Sequence, residues 1–238
     1  MNISHLTRSI GASIVAASLA LLMILLSYFI FEPVVSRAQT DVFEVSQLIV
    51  SEISFVASTT DVVMSPSING LTGGFASGTT QARVRTNNST GYTMDIRFGT
   101  TSGVVNDIMW GDVNNGSIGN YDPASPGTPD FNFSDPASGN ESVFAFTVNA
   151  STSDDVTGAF EDDGSTCGSE AGGNFTAGRC WMAPTTTNFT IINSSSATPD
   201  SGATSTIRFK VAVPNNANPV VPNDTYVATV TLTATTNP

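Results

Sequence analysis

The sequence predicts an all-β fold, a sandwich or Greek key, behind one N-terminal hydrophobic helix. Three observations carry that expectation. Residues 80–86 and 92–98 alternate apolar and polar side chains on either side of an Asn/Gly-rich turn, a strong short-range hairpin signal. Residues 205–213 and 226–234 repeat the pattern near the C-terminus. Polarity elsewhere comes from Ser, Thr, Asn and Gly rather than charge, a composition that penalises helix and favours strands joined by turns. The 14 Phe residues supply apolar surface to bury and argue against disorder.

In chain order, a short polar start carries Arg8, and no charge then interrupts the run from Ile10 to Phe31. That run is long enough to cross a bilayer as a helix. Glu32-Pro33 ends it, and Ser36-Arg37-Ala38 places small residues where a signal peptidase reads, with cleavage between Ala38 and Gln39. Residues 1–38 are therefore a signal peptide or an N-terminal membrane anchor, and residues 39–238 an extracellular β-sandwich domain. A retained pilin-type helix is a third reading, although type IV pilins carry an early Glu and none occurs between Arg8 and Glu32.

Asp41 to Val56 reads as one or two strands of β-branched and aromatic residues. With the leader removed it becomes a free N-terminal strand, pairing within its own sheet or adding to a neighbouring subunit's sheet edge. Asp61–Met64 reads as a short strand. In the following hairpin Ala82 and Val84 share a face, as do Tyr92, Met94, Ile96 and Phe98. Two loop-rich insertions, 99–141 and 149–186, flank a strand with Phe144, Phe146 and Val148 on one face. Residues 187–192 form another strand. Last come Ile207, Phe209, Val211 and Val213, then Tyr226, Ala228, Val230 and Leu232, each set on one face of a closing pair.

The formal net charge is −12. Losing Arg8, Arg37 and Glu32 leaves residues 39–238 with 6 basic and 19 acidic groups, or −13. Such a chain repels phosphate backbones, so no nucleic-acid partner is expected, and the membrane is reached only through residues 10–31 if these are uncleaved.

The two cysteines, Cys167 and Cys180, fall in one Gly/Ser-rich loop beyond the export signal, which predicts a disulfide. Catalysis is not expected. The sole histidine, His5, lies in the leader, and no Gly-x-Ser-x-Gly, His-Glu-x-x-His or Gly-x-Gly-x-x-Gly motif is present. Lys210, next to Arg208 on a strand's polar face, reads as a solvated charge. Glu161-Asp162-Asp163 and Asp154-Asp155 are paired carboxylates of the kind glycosidases use, but clustered in loops they read as solvated surface. No cofactor is expected. Calcium is the one candidate, on Asp107, Asp112, Asn114 and Asn115 or on Asp154–Asp163, although the spacing matches no EF-hand. Trp110, Tyr121 and Trp181 are candidate stacking platforms for a glycan.

Thr86-Asn-Asn-Ser-Thr-Gly-Tyr-Thr-Met-Asp-Ile96 and Asn223-Asp-Thr-Tyr-Val-Ala-Thr-Val-Thr-Leu-Thr-Ala234 resemble strands of exported bacterial surface proteins with WxL-like and immunoglobulin-like modules. The resemblance is structural and stops short of the Trp-x-Leu signature, since Trp110 and Trp181 are followed by Gly-Asp and Met-Ala. It implies an immunoglobulin-like sandwich at the cell surface with a structural or adhesive role, its partners being copies of itself or other surface proteins. A donor-strand filament subunit and a glycan-binding module are the alternatives.

Overall fold

The computed structural model describes residues 3–30, 39–99, 108–124, 127–133, 140–151, 155–168 and 175–238. The chain divides into two units, Met1–Leu48 and Ile49–Pro238. The first contains the helix α1, Ile3–Ile30. Among the described residues no helix is long and apolar enough to cross a membrane; within α1 the unbroken run of described side chains is only Ser13–Tyr28. Ala38, at the expected cleavage point, lies outside the described residues, and Gln39 is exposed.

The regular structure of the second unit is almost all strand, in two sheets. The strands are β1 (Ile53–Ala57), β2 (Gly74–Thr86), β3 (Tyr92–Gly99), β4 (Met109–Gly111), β5 (Ser117–Asn120), β6 (Val143–Ala150), β7 (Phe189–Ser194), β8 (Ala203–Val213), β9 (Tyr226–Val227) and β10 (Thr229–Thr236). One sheet has the order β1-β2-β8-β6-β5-β4-β9 and the other β10-β3-β7. All pairings are antiparallel except β5 with β6.

The expected hairpin is not one. β2 pairs with β8 in unbroken register from Gly74↔Val213 to Val84↔Ala203, whereas β3 lies in the opposite sheet between β10 and β7. Residues 87–91 therefore form an arch that carries the chain from one layer to the other. Ala82 and Val84 still face Tyr92, Met94, Ile96 and Phe98, but across the core rather than along a ladder. Alternation reports which face is buried, and it is equally satisfied by a neighbour in the same sheet or by a partner in the facing one.

The arch is held by the side chain of Asn88, which is buried. Its amide nitrogen donates to the Thr90 hydroxyl (2.9 Å) and to the carbonyls of Gly91 (2.9 Å) and Asn237 (2.7 Å). Gly91 has φ +83°, and a Cβ there would collide with the Ser194 carbonyl, so only glycine turns this corner.

The C-terminal pair is likewise split. β8 is an inner strand between β2 and β6, and β10 pairs with β3 in the other sheet. Two further expectations fail. Asp61–Met64 forms no strand, though Ser65 bridges to Ser77. Of Asp41–Val56 only the part from Ile53 on is paired, on the edge of β2.

Phe98 is the hub of the core. Its ring lies 5.9 Å from Phe144, 5.2 Å from Phe146 and 6.4 Å from Phe209, which ties β3 of one sheet to β6 and β8 of the other. β6 was expected to bury one face and buries both. Val143 and Ala145 lie under Tyr121, Trp181 and Phe133, so the two insertions supply a second, smaller core on the outer face of the large sheet.

Tyr92 makes this core sensitive to alkali. Burial, and secondarily the Asp155 carboxylate, push its phenol up to about 12. A folded pKa above the unfolded value of about 10 means stability fully present below pH 10 and lost as pH rises toward 12. A rise of that size corresponds to about 2–3 kcal/mol. An alkaline denaturation series should show that loss in the wild type and a flatter profile in Tyr92→Phe.

Candidate functional site

Outside α1, the stretch just before β1 is an unusual surface among the described residues. Val42 (88%), Phe43 (82%), Val45 (84%), Leu48 (80%), Ile49 (80%) and Val50 (69%) are exposed and belong to no strand. Scattered apolar residues on a surface need no explanation, but six within nine consecutive positions do. An extended backbone would put Phe43, Val45 and Ile49 on one face with Gln47, and Val42, Leu48 and Val50 on the other with Glu44 and Ser46. The end of the stretch is fixed. Asn87 accepts from the Glu52 N–H (2.7 Å) and donates to the Val50 carbonyl (3.1 Å), pinning it beside the arch.

The second feature is a cleft of about 1090 Å³. Val62, Met64 and Ile68 line it, with Phe209 of β8 and Val230 and Leu232 of β10. β10 is the last strand of its sheet, so one edge has no strand partner among the described residues. The register sets β1 against the arch end of β2, while Thr60 and Ser65 engage Thr80 and Ser77 farther along it. The cleft therefore opens at the pole remote from the arch, beside the start of β10.

Lys210 is not the solvated charge its sequence position implied. Its ammonium sits 4.5 Å from the centre of the Phe133 ring, 5.0 Å from Phe75 and 5.7 Å from Trp181. Burial first, and the Arg179 charge second, hold its pKa below the ordinary lysine value. The three rings come from distant parts of the chain, and alternation along β8 carried no signal of them. Attraction to three ring faces offsets part of the lost hydration.

The expected stacking platforms are largely covered. Tyr121 (2% exposed) stacks on Phe133 and gives its hydroxyl to Asp130 at 2.7 Å, and Trp181 (6%) donates its indole N–H to the Gly178 carbonyl. Neither ring offers an open face to a sugar, because both close the second core. Trp110 is half-buried in β4. Of the three rings, Trp110 alone is partly open.

Cys167 and Cys180 form a disulfide with Cα atoms 5.7 Å apart. The carboxylates beside it hold the loop together. Asp163 accepts from the backbone and hydroxyls of Ser165 and Thr166, which keeps its carboxyl well below the usual carboxylate range. Asp162 is buried and accepts from Gly164 and Thr176. Among the calcium candidates, Asp107 and Asp154 lie outside the described residues and Asp112 is exposed. The backbone N–H of Asn114 caps onto Asp224, and its side-chain amide donates to the Asn223 carbonyl. Among the described residues no group of three or more His, Cys, Asp or Glu could hold a metal ion.

No family model matches the chain, and no curated protein matches it.

Proposed function

We propose that this is an exported cell-surface protein with a structural role, an immunoglobulin-like sandwich that associates with copies of itself. The observation that carries the reading is the exposed apolar stretch Val42–Val50. A secreted chain leaves such a stretch in water at a steep cost unless something covers it. Burying Phe43, Val45 and Ile49 alone is worth about 5–9 kcal/mol. Main-chain pairing adds to this, against an association cost of about 4–15 kcal/mol. The two are close enough that self-association depends on these side chains.

The disulfide supports the extracellular part of the reading, because such bonds persist in oxidising compartments. The charge-free run before residue 32 supports export by a leader or retention by an anchor. The role is non-enzymatic in this reading. A glycan-binding module draws less support, since two of its three candidate rings are packed inside.

Sedimentation velocity tests the reading. The wild-type chain should run as assemblies larger than one subunit, and Phe43→Asp/Val45→Asp should run as monomer with an unchanged melting temperature. A wild-type chain that stays monomeric at every concentration would remove the proposal.

A further inference from the structure

We infer that the cleft is a binding site for a hydrocarbon-tailed small molecule whose polar head carries no negative charge. The site stands apart from self-association: every residue that lines it falls between Thr59 and Leu232.

The interior takes the tail. At about 1090 Å³ its volume is at the upper end of small-molecule sites, which run to roughly 1,000 Å³. It reaches between the two sheets, to Phe144, Ile207 and Phe209 on one side and to Val230 and Leu232 of β10 on the other. Phe144 and Ile207 are buried, whereas Val230 and Leu232 pack against the core and are still only half-buried. A polypeptide entering here would bring N–H and C=O groups against apolar side chains, a cost that a hydrocarbon tail does not incur. The mouth is apolar too. Among the described residues beyond Val50, eight large hydrophobic side chains are exposed, and four of them, Val63, Leu71, Val220 and Val227, line this cleft. Exposed apolar side chains gathered at one place mark a binding surface, where single scattered ones would not.

The charges select the head. No Lys, Arg or His lines the cleft, and its only formal charges are the carboxylates of Asp61 and Asp224. Asp61 is exposed. Hydrogen bonds from the N–H groups of Asn114 and Val113 hold the Asp224 carboxyl below the ordinary carboxylate value, so it is ionised at neutral pH. An anionic head would meet two negative charges and no cation there, in a chain of net charge −12. The walls are held in place. Thr60 exchanges hydrogen bonds with the Thr80 hydroxyl (3.1 and 3.2 Å), and Ser65 bridges to Ser77. The Leu71 carbonyl accepts from the Asn216 N–H (3.2 Å), and the Tyr226 hydroxyl donates to the Pro222 carbonyl (2.9 Å). The space is thus preformed, as ligand sites usually are.

The test adds three ten-carbon probes to the full chain, each below its micelle concentration: decyl maltoside, decyltrimethylammonium and decanoate. Amide hydrogen exchange is followed segment by segment, so probe taken up by other apolar surfaces is told apart. The first two probes should give saturable protection, with exchange about tenfold slower in residues 59–71 and 220–232. Decanoate should bind there about tenfold more weakly. Leu232→Trp, which fills the interior, should abolish protection by all three. Because added bulk can strain the fold, Asp61→Lys on an exposed position gives an independent reading. It should tighten decanoate and weaken decyltrimethylammonium, each severalfold. Lack of saturable protection of these segments by any probe would overturn the site. Decanoate protecting as strongly as the others, or an unchanged preference in Asp61→Lys, would overturn the assignment of the head.

Discussion

Phe98→Ala is expected to be the most destabilising single substitution in the chain, lowering the melting temperature by about 6–20 °C. Phe98 is 1% exposed and meets three rings of the opposite sheet, so its removal leaves a cavity walled by strands that cannot close over it. Truncating a buried Phe costs about 3–5 kcal/mol. For a unit of this size each kcal/mol moves the midpoint by about 2–4 °C. Differential scanning calorimetry on wild type and variant reads the shift directly. Phe98→Leu keeps most of the volume and should recover more than half of it. A midpoint within 2 °C of wild type for Phe98→Ala would mean that the two sheets do not share this core.

Loss of the disulfide should cost about 3 kcal/mol, or about 6–12 °C. The bond joins residues 13 apart in sequence, and closing a loop of that length restricts the unfolded chain by about that amount. Cys167→Ser/Cys180→Ala is the suitable variant, since Cys180 is buried and a serine there would place an unpaired hydroxyl in the core. Thermal melts of the wild type in excess reductant should reproduce the variant's midpoint. The damage should centre on the second insertion, where Asp162 and Asp163 organise the same loop. Hydrogen exchange should rise around residues 160–168 before it rises in β3. Equal melting with and without reductant would show that the loop is held by its carboxylates alone.

How much of this was legible in the sequence depends on the kind of signal. The alternation of Tyr92, Met94, Ile96 and Phe98 identified a buried face, and the structure buries all four. It could not identify the partner, because a facing sheet satisfies the pattern as well as a hairpin neighbour does. The Asn-Asn-Ser-Thr-Gly run read as a tight turn, whereas the Asn88 amide uses it to cross between layers. The disulfide was legible from the two cysteines sharing one Gly/Ser-rich loop. Lys210 was not, because its cage is assembled from Phe75, Phe133 and Trp181, which only the tertiary fold brings together. The burial of Tyr121 and Trp181 was hidden for a related reason. Large rings in loop-rich sequence suggest a binding surface, but here those loops roof a strand. Asp41–Val50 reads in sequence as strand, whereas the structure leaves it exposed and outside either sheet.

The most direct measurement is hydrogen exchange on the native protein across a concentration series. Amides of residues 42–50 should exchange at open-chain rates when dilute and become protected together as concentration rises, in step with growth in mass. Open-chain exchange there at every concentration, in a protein that nonetheless assembles, would mean that another surface joins the copies.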